Sequence, residues 1–178
     1  IGGFRIAMNH NNVECVFSSD NDKFAQQTYK ANFNEIPTGD IKKVEAKDIP
    51  EFDILTAGFP CQPFSYAGEK QGFNDEIRGT LFFDVCRIIE YHKPPMVFLE
   101  NVKGIKSHDG GKTLNIILDA LRKQGYFPHW KILSSLDYGL PQKRERWYCV
   151  AFRKDIQFEW PEPIEGKPIL RDIVDLND

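Results

Sequence analysis

Positive charge is not in excess in this chain. Lys and Arg number 23 against 26 Asp and Glu, a formal charge of −3 over 178 residues. That excludes a uniformly basic nucleic-acid coat, while leaving room for a local cationic patch. Long apolar runs are also missing. The longest uncharged stretch, residues 54–68, has 15 residues and two prolines, too short and too broken for a membrane helix. No secretory hydrophobic segment opens the sequence, and it starts at Ile1-Gly2-Gly3 without an initiator Met, which predicts that its start lies upstream. Cysteine is scarce: Cys15, Cys61, Cys86 and Cys149 contain no CxxC pair, and the four histidines do not pair with them at ligand spacing. Neither a structural metal site nor a disulfide framework is expected, so the reading is a reducing, intracellular setting with free thiols. There is no GxxxxGK[ST], no complete GxGxxG, no internal repeat and no low-complexity segment.

What is present fits one domain of the usual ~100–200 residues. Val13 to Phe17, Ile54 to Ala57 and Met96 to Leu99 are short apolar runs of strand type. Runs apolar on both faces suit interior strands of a parallel sheet. Between them lie helical patterns. Asp20 to Asp22 offer caps for Phe24, Ala25, Thr28, Tyr29 and Phe33; Thr80 caps Leu81, Phe82, Val85, Ile88 and Ile89, and Pro94-Pro95 stop that helix. Thr113 is expected to cap Leu114, Ile117, Leu118 and Leu121, with Gly125 closing. Residues 130–136 and 147–152 read as two more strands around a polar turn at 138–146. Strands alternating with helices predict an α/β doubly wound sheet. From Asp155 on, seven acids face two bases among three prolines, which predicts a linker or an extended surface segment.

Ligands of open α/β sheets bind at the carboxyl ends of the strands. Cys61 lies four residues past the Ile54 run and Glu100 directly after the Met96 run, so the two polar groups converge on one edge. Cys61 sits between Pro60 and Pro63, which constrain the backbone on both sides of the thiol. The other three cysteines lie in apolar runs and read as small buried hydrophobes. The glycine-rich stretch 66–79 suits a loop that closes over a substrate. Gly2 and Gly3, before Phe4, Ile6, Ala7 and Met8, resemble the end of a glycine turn opening a helix. Asp20 follows 17 residues after Gly3, where an acid typically binds ribose hydroxyls. That combination points to an adenosine-type cofactor. From Gln142 to Lys154 there are five bases and one acid, a cationic strip in which Arg144 and Arg146 share a face if the segment enters a strand.

Together, Gly58-Phe-Pro-Cys-Gln-Pro-Phe-Ser65, Glu100-Asn101-Val102 and Gln142-Lys-Arg-Glu-Arg146 resemble, in order and rough spacing, the cytosine-C5 DNA methyltransferases. The resemblance runs over nearly the whole chain. It implies a Rossmann-like S-adenosylmethionine-dependent methyltransferase fold, with a mostly parallel sheet and an antiparallel terminal strand. It implies a catalytic domain over residues 1–154, truncated at its front, and a linker over 155–178 leading to a target-recognition domain. Gly2, Gly3, Phe4, Asp20, Asn21, Asp40, Ile41, Pro60 and Leu81 match positions around S-adenosylmethionine; the family often has an aromatic residue where Asn21 stands. Cys61 matches the nucleophile and Glu100 the residue that binds cytosine N3 and N4. Arg144 and Arg146 match arginines near the phosphate and the flipped base. Gln62 and Ser65, with Asn101 and Gln142, match the DNA side. The implied partners are duplex DNA and S-adenosylmethionine, with a complementary subunit or further C-terminal region to complete the site, and no membrane. The implied setting is a bacterial restriction–modification system, cytoplasmic and nucleoid-associated.

Three other readings compete. An RNA cytosine methyltransferase shares these motifs, although Phe59 and the Gln-Pro-Phe-Ser continuation lean towards DNA. An incomplete fragment, or one subunit of a split enzyme, would bind cofactor without turnover. A Rossmann oxidoreductase has no use for Cys61 or Glu100.

Overall fold

Two parallel strands carry the site, and the helix between them explains why they lie side by side. The computed structural model describes residues 1–61, 80–166 and 168–172. Strand β1 (Ile54–Gly58) leads through the 62–79 segment, which lies outside the described residues, to helix α3 (Leu81–His92) and on to β2 (Met96–Val102). Helices α1 (Gly3–Asn9) and α2 (Lys23–Phe33) precede β1; α4 (Lys112–Lys123), β3 (Phe127–Ser134) and β4 (Glu145–Phe152) follow β2. The sheet order is β1-β2-β4-β3. β1 and β2 are parallel, and β4 is antiparallel to both β2 and β3. Three strands thus run one way, and the last strand in chain order runs the other, as expected. It inserts between β2 and β3 rather than at the rim.

Alternation sorts the two faces of the sheet. Val97, Leu99 and Asn101 of β2 stand beside Ala151, Cys149 and Trp147 of β4, all on one face and all almost completely buried. Phe82, Val85, Cys86 and Ile89 of α3 cover that face with Leu114, Ile117, Leu118 and Leu121 of α4. Each such large apolar side chain contributes about 1.5–3 kcal/mol when fully buried. The opposite face carries Phe98 and Tyr148, and α1 lies against it through an edge-on contact of Phe4 with Phe98 at 5.0 Å.

The helix ends follow the expected signals with one exception. Asp22 accepts from the amides of Phe24 and Ala25, and Thr80 from that of Phe83. Lys93 turns left-handed before the prolines, and Gly125, at φ +83, follows α4. Thr113, however, is not a cap. α4 starts at Lys112 behind Gly111, two residues before the expected start, and the Thr113 hydroxyl is buried against His108 Nδ1 at 2.7 Å. Two glycines at positive φ turn the chain there, so the helix begins without a side-chain cap.

A second expectation also fails. Val13 to Phe17 joins no ladder among the described residues. Its apolar residues have strand propensity, but the segment lines the same cavity as the open edge of β1 without pairing to it. The acidic segment from Asp155 is extended and lies on the molecule: Phe158 packs against His129 and Phe152, and Tyr138 donates to the Pro161 carbonyl at 2.9 Å. No described helix is long and apolar enough to cross a membrane.

Candidate active site

The carboxyl ends of β1 and β2, with the start of β4, meet at one edge of the sheet. The register puts Gly58 beside Glu100, Glu100 beside Tyr148, and Val102 beside Arg146. The Cys61 loop therefore leaves the sheet next to Glu100. The approach is close: a Cβ on Gly58 would stand 3.3 Å from Glu100 Oε2. Arg146 Nε lies 3.0 Å from Glu100 Oε1, both side chains about a quarter exposed. Lys103 brackets the same corner with two 2.9 Å bonds to Glu145.

Cys61 is half-buried, and burial pushes its thiol above the ordinary value. Phe59, Pro60, Thr80, Phe82, Ile105 and Thr113 surround it. Cys86 and Cys149 are buried in the core, which drives both thiols up to about 12 and leaves them inert. Cys15 is half-buried, its sulfur 3.3 Å from the Phe17 carbonyl. The Tyr148 hydroxyl is pushed up by burial and then by the Glu100 charge, against the pull of Arg144 and Arg146. Both arginines thus act on the Glu100 side, although only Arg146 belongs to β4. Arg144 is exposed in the preceding turn, where its carbonyl accepts from the Ser135 amide. Gln142 is exposed in the same turn.

A cavity of about 850 Å³ runs along the open side of β1. Gly2, Gly3, Phe4, Asp20, Asn21, Ile41 and Leu81 line it. Asp40 and Pro60 do not; the Asp40 carboxylate accepts from the Lys42 amide at the neighbouring turn. Gly2 is held left-handed at φ +74, and a Cβ there would come within 2.5 Å of the Phe33 ring. Only glycine fits, so bare backbone faces the cavity at the start of α1. Asp20 uses one oxygen on the Asp22 amide at 2.9 Å. Apolar walls, a bare backbone turn and a carboxylate at the rim suit an adenosine-bearing ligand.

Asn101 is placed differently from its neighbours. It is 2% exposed, on the core face of β2, and its amide bonds within the protein. Gln62 and Ser65 lie outside the described residues. Tyr148 and Lys103 escaped the reading of the sequence. Tyr148 could have been found by counting two residues on from Arg146; the Lys103–Glu145 pair depends on a register that no local pattern reveals.

Fold and site define an α/β protein with a thiol and a carboxylate at its carboxyl edge, beside a cavity entered over a glycine turn. The family model of the C-5 cytosine-specific DNA methylases matches residues 1–177, and the chain belongs to that family. It is 49% identical over 177 residues to the type II methyltransferase M.HhaI of Haemophilus parahaemolyticus, covering 98% of this chain and 54% of that one. It is 53% identical over 180 residues to the type II methyltransferase M.HpaII of Haemophilus parainfluenzae, covering 97% and 50%. Among solved structures, a DNMT2 variant from Spodoptera frugiperda superposes with a TM-score of 0.75 at 26% identity, over 98% of this chain and 57% of that one. The chain spans about half the length of the curated relatives it matches.

Proposed function

We propose that the protein transfers a methyl group from S-adenosylmethionine to C5 of cytosine in duplex DNA, as the modification enzyme of a bacterial restriction–modification system. The observation that carries this reading is the convergence of Cys61 and Glu100 from adjacent parallel strands, with Gly58 in register with Glu100. Family membership and relatives at about half identity, named type II methyltransferases, support it. The family's own description, which names DNA, favours DNA over RNA as the substrate.

Cytosine C5 is a poor nucleophile. Addition of the Cys61 thiolate to C6 forms a C–S bond and moves an electron pair to C5. Bound S-adenosylmethionine would supply the electrophilic methyl group to C5, its S–CH3 bond breaking so that it leaves as S-adenosylhomocysteine. Loss of the C5 proton and departure of Cys61 as thiolate then restore the ring. C6 is hidden in a duplex, so the base must leave the stack to reach the thiol. Glu100 meets the polar edge of the base, and a hydrogen bond from its carboxyl to N3 stabilises the electron flow. For that the Arg146 pair has to open when the base arrives, freeing the guanidinium for the DNA backbone. Of the residues lining the cavity, Gly2, Gly3, Phe4, Asp20, Ile41 and Leu81 would hold the cofactor, Asp20 by its ribose hydroxyls and Phe4, Ile41 and Leu81 by its apolar parts.

Replacing Cys61 by Ser in the intact protein tests the reading. Transfer of labelled methyl to duplex DNA should fall to background while cofactor binding by calorimetry persists. Retained transfer, or transfer to tRNA in preference to DNA, would sink it.

A further inference from the structure

The corner of the site depends on a side chain that faces away from it. Glu100 and Asn101 are consecutive on β2, so their side chains leave the sheet on opposite faces. Glu100 is about a quarter exposed at the edge; Asn101 is buried in the core to 2% exposure. Its Nδ2 donates to the Phe59 carbonyl at 2.7 Å, across 42 residues of chain, and its Oδ1 accepts from the Val102 amide at 2.8 Å. Phe59 is itself buried and stacked on Phe82 at 5.3 Å. Its carbonyl lies two residues before the nucleophile and needs a donor inside the protein. The same loop is held from the other face by the close approach of Gly58 to Glu100. Pro60 follows with no N–H of its own to anchor the turn.

We propose that Asn101 is a positioning residue for the proposed reaction: its amide bridges the end of β2 to the Phe59 carbonyl and so sets where Cys61 stands relative to Glu100. This replaces the DNA contact expected for Asn101 and rests on the function proposed above. The bond acts through the backbone. Without it, Phe59–Pro60–Cys61 is free to shift, and small misplacements of a nucleophile cost rate rather than binding.

The test compares Asn101→Ala and Asn101→Asp with the wild type in the intact protein. Asp keeps an acceptor for the Val102 amide but has no donor for the Phe59 carbonyl. For both variants kcat should fall about 10- to 100-fold. KM for duplex DNA should stay within about threefold. Alkylation of Cys61 by iodoacetamide, followed by peptide mapping without DNA or cofactor, should be about tenfold faster as the half-buried thiol is released. A raised KM with unchanged kcat and unchanged alkylation would assign Asn101 to DNA and overturn the proposal. If the variants do not fold, the wild type still decides. The Asn101 side-chain amide protons should exchange with water far more slowly than those of exposed Asn32; equal rates would overturn the bond. A wild type that transfers no methyl at all contradicts the proposed function, and the alkylation and exchange measurements then judge the Asn101 bridge alone.

Discussion

At the scale of single residues, the proposed chemistry rests on Cys61 and its partners. Burial raises the Cys61 thiol, so less of it is thiolate at neutral pH than for a free cysteine near 8.5. Its alkylation rate should therefore climb with pH through neutrality, with a midpoint above that of a free cysteine measured alongside. Cys86 and Cys149 should remain unlabelled in the native protein. A Cys61 midpoint below that of the free cysteine would contradict the burial argument. Arg146 is the second test. In the proposed mechanism its guanidinium leaves the 3.0 Å pair with Glu100 for the DNA backbone, so Arg146→Ala should lower methyl transfer by about 10²-fold, with little change in cofactor affinity by calorimetry. The places of Cys61 and Glu100 at the carboxyl ends of β1 and β2 were legible in the sequence, because each follows or ends an apolar run that does form a strand. Asn101 was legible as a motif member but not as a bridge. Its partner is a carbonyl 42 residues away, and carbonyls leave no trace in a sequence.

At the scale of elements, the glycine turn before α1 is the most exacting feature. Gly2→Ala puts a Cβ at positive φ and into the Phe33 ring. It should cost about 1–3 kcal/mol of stability. For a domain of this size, that lowers Tm by about 2–4 °C per kcal/mol, readable by thermal unfolding. Calorimetry on the same variant should show weakened S-adenosylmethionine binding; unchanged stability and binding would remove the turn from the site. Helices were read well where caps and stops are local, as at Asp22, Thr80 and Pro94. Thr113 misled because a threonine before an apolar repeat resembles a cap, while Gly110 and Gly111 at positive φ start the helix two residues earlier. Val13 to Phe17 misled for a different reason: propensity is local, but a strand exists only where a neighbour's hydrogen-bonding edge meets it.

Across the whole molecule, the sheet explains how a chain of net charge −3 presents cations where they count. β4 runs antiparallel into the sheet beside β2, so its first residues, not its last, reach the edge that carries Glu100. Arg144 and Arg146 arrive there with Lys103 held by Glu145, while the acidic segment from Asp155 leaves at the opposite end of β4. The antiparallel direction of the last strand was expected; its place between β2 and β3 was not, since strand order is a long-range choice. DNA affinity should therefore fall with salt in proportion to the few phosphates contacted, and Arg144→Ala should reduce the slope of log K against log salt by about 1. An unchanged slope would place Arg144 off the backbone.

The central claim is that Cys61, held beside Glu100 at the ends of two parallel strands, attacks C6 of a cytosine taken out of the duplex. The most direct measurement incubates the intact protein with S-adenosylmethionine and duplex DNA bearing 5-fluorocytosine, whose C5 has no proton to lose. Peptide mapping should find a denaturation-stable adduct on the peptide containing Cys61, absent from Cys61→Ser. An adduct on another residue, or methyl transfer to ordinary DNA by Cys61→Ser, would contradict the account.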